Sequence, residues 1–281
     1  MRITSWNFLH GQPLKPPVAD PSRLEKPNGP QVAEQRYAGA VQTLESDLIA
    51  LQEVDLYLER SGIENQSSAV AKIMGAAYWG FAPAISGTPG VKWRKLKSDE
   101  QLVITDSNIG QVKELGSYGI AIISKDPVKS WLRLELGRSV IGMPLLIGNE
   151  KGKLAMLYVK DEPRVAIAAV LENGWTVINT HLSFVPLMNI YQLFKLSRWA
   201  TSIEREYSTK VILLGDFNLP GGIPSKLTSW KRATQSLSYP SWAPKISFDY
   251  ILMRQEHLAE SEEVITPDLD ISDHRAISID L

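Results

Sequence analysis

Six short polar motifs, each at the end of an apolar run, hold the residues that can do chemistry: Trp6-Asn7, Gln52-Glu53-Val54, Asn179-Thr180-His181-Leu182, Gly215-Asp216-Phe217-Asn218, Asp249-Tyr250 and Ser272-Asp273-His274. Together they offer carboxylates, amides and two imidazoles. Hard oxygen donors suit a divalent cation, and imidazoles handle protons and phosphate charge, which is the equipment of phosphoester hydrolysis. Each motif alone also has an ordinary reading. Glu53 could face water at a strand end, and Asp216 with Asn218 could satisfy the backbone of a turn. His181 could be a hydrogen-bonded core residue, and Ser272-Asp273-His274 an exposed turn. The order and spacing of the whole set, from the first strand to the end of the chain, favour function.

Val211-Ile212-Leu213-Leu214 reads as a buried strand that delivers Asp216. On an extended backbone Asp216 and Asn218 project to one side, where the carboxylate polarises a water and the amide orients water or phosphate. An ionised Glu53 after Leu48-Ile49-Ala50-Leu51 needs a partner or a metal to offset its desolvation. Asn7 either caps the following loop or holds a water, the metal shell or Glu53. Strand alternation puts Trp175, Val177, Asn179 and His181 on one side. Neighbours on an extended chain point apart, so Asp273 faces metal and His274 faces the reacting phosphate. Asp249 is the remaining carboxylate to orient His274, fixing its tautomer and stabilising the imidazolium.

The elements that must position these groups alternate along the chain. Strands are expected over Arg2 to Phe8, Asp47 to Val54, Ala77 to Ile85, Gly119 to Ser124, Lys210 to Leu214, Ile246 to Met253 and Arg275 to Leu281. Val165 to Leu171 and Trp175 to Leu182 read as an antiparallel pair turning at Asn173-Gly174. Helices are expected over Gln31 to Glu45, Ser67 to Met74 and Leu187 to Glu206. His10 to Pro30 reads as a long connection rich in proline, glycine and charge, and Ser86 to Ser117 as irregular. Motifs scattered over 1–281, with no repeat or linker, predict one α/β domain.

Composition narrows the alternatives. With 281 residues, 44% hydrophobic and 22% charged, the chain reads as a globular enzyme. A net charge of −1 gives no global footprint of a non-specific nucleic-acid binder. The absence of cysteine excludes thiolate metal sites and cysteine nucleophiles. No run approaches the ~20 apolar residues of a membrane span, and no signal-peptide pattern opens the chain, so a cytoplasmic monomer is expected. Neither a helical His-x-x-x-His pair nor a Gly-x-Ser-x-Gly turn is present.

These residues resemble the endonuclease/exonuclease/phosphatase superfamily of metal-dependent phosphoesterases, from Trp6-Asn7 through to Ser272-Asp273-His274. Tyr118 to Ser124 is similar to the family's glycine-led central strand, and Glu162-Pro163-Arg164-Val165 to the start of the strand preceding the histidine strand. The resemblance implies an α/β sandwich of two packed mixed sheets with helices outside and the site at one end. It implies that Glu53 binds Mg²⁺ or Mn²⁺, aided by Asn7 and Asp273. It further implies that Asp216 with Asn218 positions the water, His181 contacts phosphate and Asp249 pairs with His274. Arg60, Arg164 and Trp93 are candidates for substrate contact, with Trp230, Lys231, Arg232 and Trp242 as further rim residues. Asp55 after the glutamate motif gives no support for groove contact with DNA. A small or headgroup-like phosphoester is the expected substrate. A DNA or RNA nuclease remains the alternative, and a binding protein that has lost catalysis is the reading from another class.

Overall fold

The computed structural model describes residues 1–13, 30–111, 116–148 and 154–281. Positions 14–29 of the expected His10 to Pro30 connection lie outside these. In chain order the first elements are β1 (Arg2–Asn7), α1 (Pro30–Thr43), β2 (Leu48–Leu56), α2 (Gln66–Met74) and β3 (Tyr78–Thr88). Next come β4 (Lys92–Lys95), β5 (Ile104–Thr105), β6 (Ser117–Ser124), β7 (Val128–Gly137), β8 (Met143–Gly148) and β9 (Leu154–Val159). Then follow β10 (Arg164–Leu171), β11 (Trp175–His181), α3 (Met188–Tyr207), β12 (Lys210–Asp216) and α4 (Ile223–Leu227). The last are β13 (Lys231–Arg232), β14 (Asp249–Met253), β15 (Glu262–Val264) and β16 (Ile277–Asp280).

Two mixed sheets pack face to face. One has the order β15-β16-β1-β2-β6-β3-β4 with β5 alongside β3; the other runs β13-β14-β12-β11-β10-β7. The hairpin β8-β9 is separate. Period-two alternation builds three apolar layers from the same strands. Leu48 and Ala50 of β2 enter the layer between the sheets with Ile167 and Ala169 of β10. Ile49 and Leu51 face the other way, under Tyr37 and Val41 of α1 and Val70 of α2. Ala166 and Ala168 likewise face Leu193, Leu196, Ala200 and Ile203 of α3. Strands covered on both faces read as continuous apolar runs, which is why β2 and β10 stand out in the sequence. This is the α/β sandwich with outer helices that the sequence predicts. Among the described residues no helix is long and apolar enough to cross a membrane.

Three expectations need correction. Ser86 to Ser117 is not wholly irregular: Lys92–Lys95 forms β4 on the sheet edge, pairing with β3. The ten-residue strand β7 was not anticipated, although Leu132, Leu134 and Leu136 carry a period-two signal toward the α3 layer. Ile246 to Phe248 precede β14, which opens at Asp249 itself.

Glu64 ties α1 to the sheet by accepting a hydrogen bond from the Tyr37 hydroxyl at 2.8 Å. Burial raises its pKa from 4.5 to about 7. Because the folded value is raised, the unfolded chain releases this proton first, and stability falls as pH rises from about 4.5 to about 7. Glu64→Gln keeps the acceptor and removes that fall. The variant is expected to gain on wild type by up to about 1.4 kcal/mol per pH unit across the window, read from urea unfolding. Parallel pH dependence of the two proteins would refute the assignment.

Candidate active site

The parallel strands β1 and β2 of one sheet and β11 and β12 of the other end on the same edge of the sandwich, where antiparallel β14 begins. Pairing brings His181, Asp216 and Asp249 into one row: His181 is the register partner of Asp216, and Asp216 of Asp249. Residues directly opposite on neighbouring strands face the same side, so register alone aligns these three side chains. Gly215 is required for this spacing. Its φ is +135°, and a Cβ there would lie 2.0 Å from the Thr180 carbonyl oxygen.

Glu53 reaches the site through a bulge. Leu51 pairs with Ala121 and Val54 with Gly119, so Gln52 and Glu53 together oppose Ile120. Glu53 takes a left-handed φ of +57°, uncommon for a non-glycine residue. The bulge leaves carbonyls unpaired in the interior, and a side-chain clamp between the sheets satisfies them. Asn179 Nδ2 donates to the Leu51 and Ala121 carbonyls, each at 2.8 Å, while Gln52 Nε2 donates to Asn179 Oδ1 at 2.7 Å. Gln52 and Asn179 stood in the quoted motifs without a role; they hold the backbone that aims Glu53.

Asn7 Nδ2 lies 3.1 Å from both Glu53 Oε1 and Asp216 Oδ2, so one amide joins the carboxylates of the two sheets. Asp216 Oδ1 also accepts the Asn218 backbone N–H at 2.9 Å. The extended geometry expected for Asp216 and Asn218 is therefore replaced by a local turn, with Asn218 at φ +50° and its side-chain amide donating to the Leu182 carbonyl at 3.0 Å. The Ser272-Asp273-His274 segment is a bend, not a strand. Ser272 Oγ donates to the Asn7 carbonyl at 2.6 Å and accepts the His274 N–H at 3.1 Å, which locks the bend onto β1. His274 Nδ1 then meets Asp249 Oδ2 at 2.7 Å, while Nε2 lies 3.9 Å from Asp216 Oδ2. Tyr239 packs on the His274 ring at 4.9 Å.

These surroundings set the two imidazoles apart. For His274 burial opposes the charge, but Asp249, by charge and hydrogen bond, followed by Asp216 and Asp273, raises its pKa well above 6.5. Burial first, then Arg164 and His274, push His181 well below 6.5. A cationic and a neutral imidazole thus stand on either side of Asp216, with His181 Nε2 at 3.6 Å. Asp216 itself is raised, first by burial and then by the charge of Asp249.

Asp216, Asp249 and His274 each place one donor atom within 4.8 Å of the others, the spacing of a metal site. The 2.7 Å bond between Asp249 and His274 occupies that space, so this group is better described as a hydrogen-bonded relay. Glu53 and Asp273 fit a cation better. Burial and then the charge of Asp273 raise Glu53 to about 7, so the pair needs positive charge to ionise fully at neutral pH. An all-oxygen carboxylate set suits Mg²⁺ or Mn²⁺.

The remaining candidates divide. Arg60 is held bidentate by buried Asp55, at 2.8 and 2.7 Å, and lies over Tyr118 with its centre 5.5 Å from the ring. Asp55, which in the sequence gives no support for groove contact with DNA, thus anchors a cation whose charge is felt at Glu53. Arg164 is 4% exposed. Its Nη2 faces Glu162 at 3.0 Å and Asp161 at 3.7 Å, whereas Nε and Nη1 make no hydrogen bond within the protein. Trp93 packs against Leu58, Ile85 and Tyr118, with Arg138 over its ring at 5.6 Å. Trp230 is no rim residue, being fully buried beneath Arg254. Tyr118, Tyr239, Asp161 and Glu162 are further residues of the site; in the sequence only Tyr118, beside the central-strand glycine, and Glu162, opening the Glu162-Pro163-Arg164-Val165 segment, carry a signal.

No curated protein sequence matches the chain. Solved structures match it along almost its full length. An endonuclease/exonuclease/phosphatase from Beutenbergia cavernae is similar at TM-score 0.59 and 16% identity, covering 99% of this chain and 70% of its own. A mannosyl-6-phosphatase of Bacteroides thetaiotaomicron gives 0.58 and 13% identity, covering 100% and 98%. The human nocturnin catalytic domain gives 0.57 and 16%, covering 99% and 93%. The Endonuclease/Exonuclease/phosphatase family matches residues 4–274, a span that takes in every site residue from Asn7 to His274, and the chain belongs to it.

Proposed function

We propose that this chain hydrolyses a small or headgroup-like phosphoester by in-line attack of water on phosphorus, with Mg²⁺ or Mn²⁺ bound. The observation that carries this reading is the Asn7 amide joining Glu53 to Asp216 beside the row of His181, Asp216 and Asp249. Because the site draws on residues from Asn7 to His274, we read the catalytic unit as one domain along 1–281.

The cation, held by Glu53 and Asp273, would supply neutralisation of charge developing on the phosphate. Asn7 fixes the Glu53 carboxylate. Asp216, steadied by the N–H groups of Asn7 and Asn218, orients the attacking water and accepts its proton. His274, kept cationic by Asp249, and neutral His181 donate N–H groups to phosphate oxygens. Arg164 offers Nε and Nη1, two nitrogens without an acceptor in the protein, to the same ester. No side chain forms a bond to phosphorus.

A cation already paired within the basic segment supports the small-substrate reading over a groove that tracks duplex DNA. In the basic segment from Lys92 to Lys97, Arg94 is paired bidentate with Glu100 at 2.6 and 2.7 Å. Purified protein with Mg²⁺ should hydrolyse generic phosphoesters, stop on exhaustive chelation and recover on adding Mg²⁺ back. A rate that survives chelation would overturn metal dependence. Efficient plasmid nicking that collapses when Lys92, Arg94, Lys95 and Lys97 become alanine, with steeply salt-dependent binding, would replace the small substrate by nucleic acid.

A further inference from the structure

Beyond Arg164 lies a cavity of about 310 Å³ that the proposed chemistry leaves unused. Lys95, Arg138 and Arg164 line it with three cations. Its carboxylate, Glu135, faces Arg133 at 3.2 Å. Because Arg164 already faces Glu162 at 3.0 Å, Lys95 and Arg138 are the cations this cavity offers to an anion.

The cavity adjoins the site through shared walls. It shares Ala84, Pro163, Arg164 and Val165 with a narrow cleft that is also lined by Tyr118 and His181. Arg164 therefore stands between the reacting centre and the cavity, with buried Nε and Nη1 lacking any acceptor. A buried donor is costly to leave without an acceptor, so a ligand oxygen there would be favoured. Arg138 is pre-positioned, over the Trp93 ring at 5.6 Å and bonded to the Asp161 carbonyl at 3.3 Å. Lys95 pairs across β4 and β3 with Ile85, which pairs with Tyr118. Two strand spacings place its backbone about 10 Å from that of Tyr118.

We propose that this cavity is a subsite for a second phosphate, so that the preferred substrate is a small phosphoester whose alcohol part bears another phosphate group. The inference rests on the phosphoester-hydrolase reading above. Lys95 and Arg138 bind the distant phosphate, Arg164 lies between the two groups, and the ester to be cleaved sits at His181 and His274. Charge-assisted bonds from a fixed guanidinium and an ammonium suit a phosphate. A volume at the lower end of ligand pockets fits one anionic group with a few carbons, not a polymer strand.

The test compares hexane-1,6-diol bisphosphate with hexyl phosphate, a pair differing only in the second anion. With Mg²⁺, wild-type kcat/KM should favour the bisphosphate by about twentyfold or more. In Lys95→Ala/Arg138→Ala that ratio should fall at least tenfold, and Arg138→Lys should fall in between. Calorimetric binding of both probes in chelator should show the same preference and the same loss without turnover. Equal treatment of the two probes by wild type, or a preference untouched by the double variant, would overturn the subsite. Preferential binding that needs Lys95 and Arg138, with neither probe hydrolysed, would support the subsite and sink the hydrolase reading instead. Tighter, steeply salt-dependent binding of an oligonucleotide through the same residues would replace the small bisphosphate.

Discussion

Asp249→Asn is expected to lower kcat by roughly a thousand- to ten-thousandfold while leaving the fold intact. Asp249 is fully buried and bonds His274 Nδ1 at 2.7 Å, and it is the main force holding that imidazole protonated against the cost of burial. An asparagine of the same shape can present its amide N–H to Nδ1, which selects the opposite tautomer and removes the charge. The same exchange behind a catalytic histidine elsewhere costs about ten-thousandfold. His274 would then lose its proton at a lower pH, because only Asp216 and Asp273 are left to oppose burial. Two readouts separate this from general damage: an unchanged melting temperature and a His274 NMR titration moved to lower pH. A loss under tenfold, with the His274 titration in place, would remove Asp249 from the mechanism.

The second large effect concerns the proposed cation. Glu53→Gln keeps the acceptor that Asn7 uses and deletes one charge from a half-buried pair. Half-saturation by Mg²⁺ should rise by about a hundredfold or more, since a direct ligand should exceed the 10–100-fold cost of losing a supporting group. Stability should move the other way. Glu53 is raised to about 7, so above that pH the metal-free fold carries an ionised carboxylate it disfavours. The variant should melt higher than wild type without metal at pH 8 and gain less from added Mg²⁺. Unchanged Mg²⁺ half-saturation would take Glu53 out of the cation site.

How far the sequence could be read follows from what each feature depends on. β2 and the β10-β11 hairpin are legible because burial on both faces and an Asn-Gly turn act within a few residues. The bulge at Gln52 and Glu53 is not, because the extra residue exists only relative to β6. The turn at Asp216 and Asn218 escapes for a similar reason, since the Asn218 amide is captured by the Leu182 carbonyl just past the end of β11. Charged residues are the hardest. Arg94 and Trp93 lie in a basic-aromatic run that in the sequence reads either as a solvated loop or as a nucleic-acid contact; in the fold Arg94 pairs with Glu100 and Arg138 lies over Trp93. Arg60 and Asp55 look opposed in meaning and are one ion pair.

The polar clamp between the sheets also bears on how the molecule becomes active. Arg2 pairs with Asp280, and Glu53, Asp216 and the His274 bend meet only after distant stretches of chain have docked. Contacts of such long sequence separation form late and slowly. Neither half of the sandwich holds a complete set of donors, so a partly folded species with native strands and helices is inert. After dilution from denaturant, the return of hydrolysis should lag behind the circular dichroism signal, reporting the moment when Asn179 closes on Leu51 and Ala121.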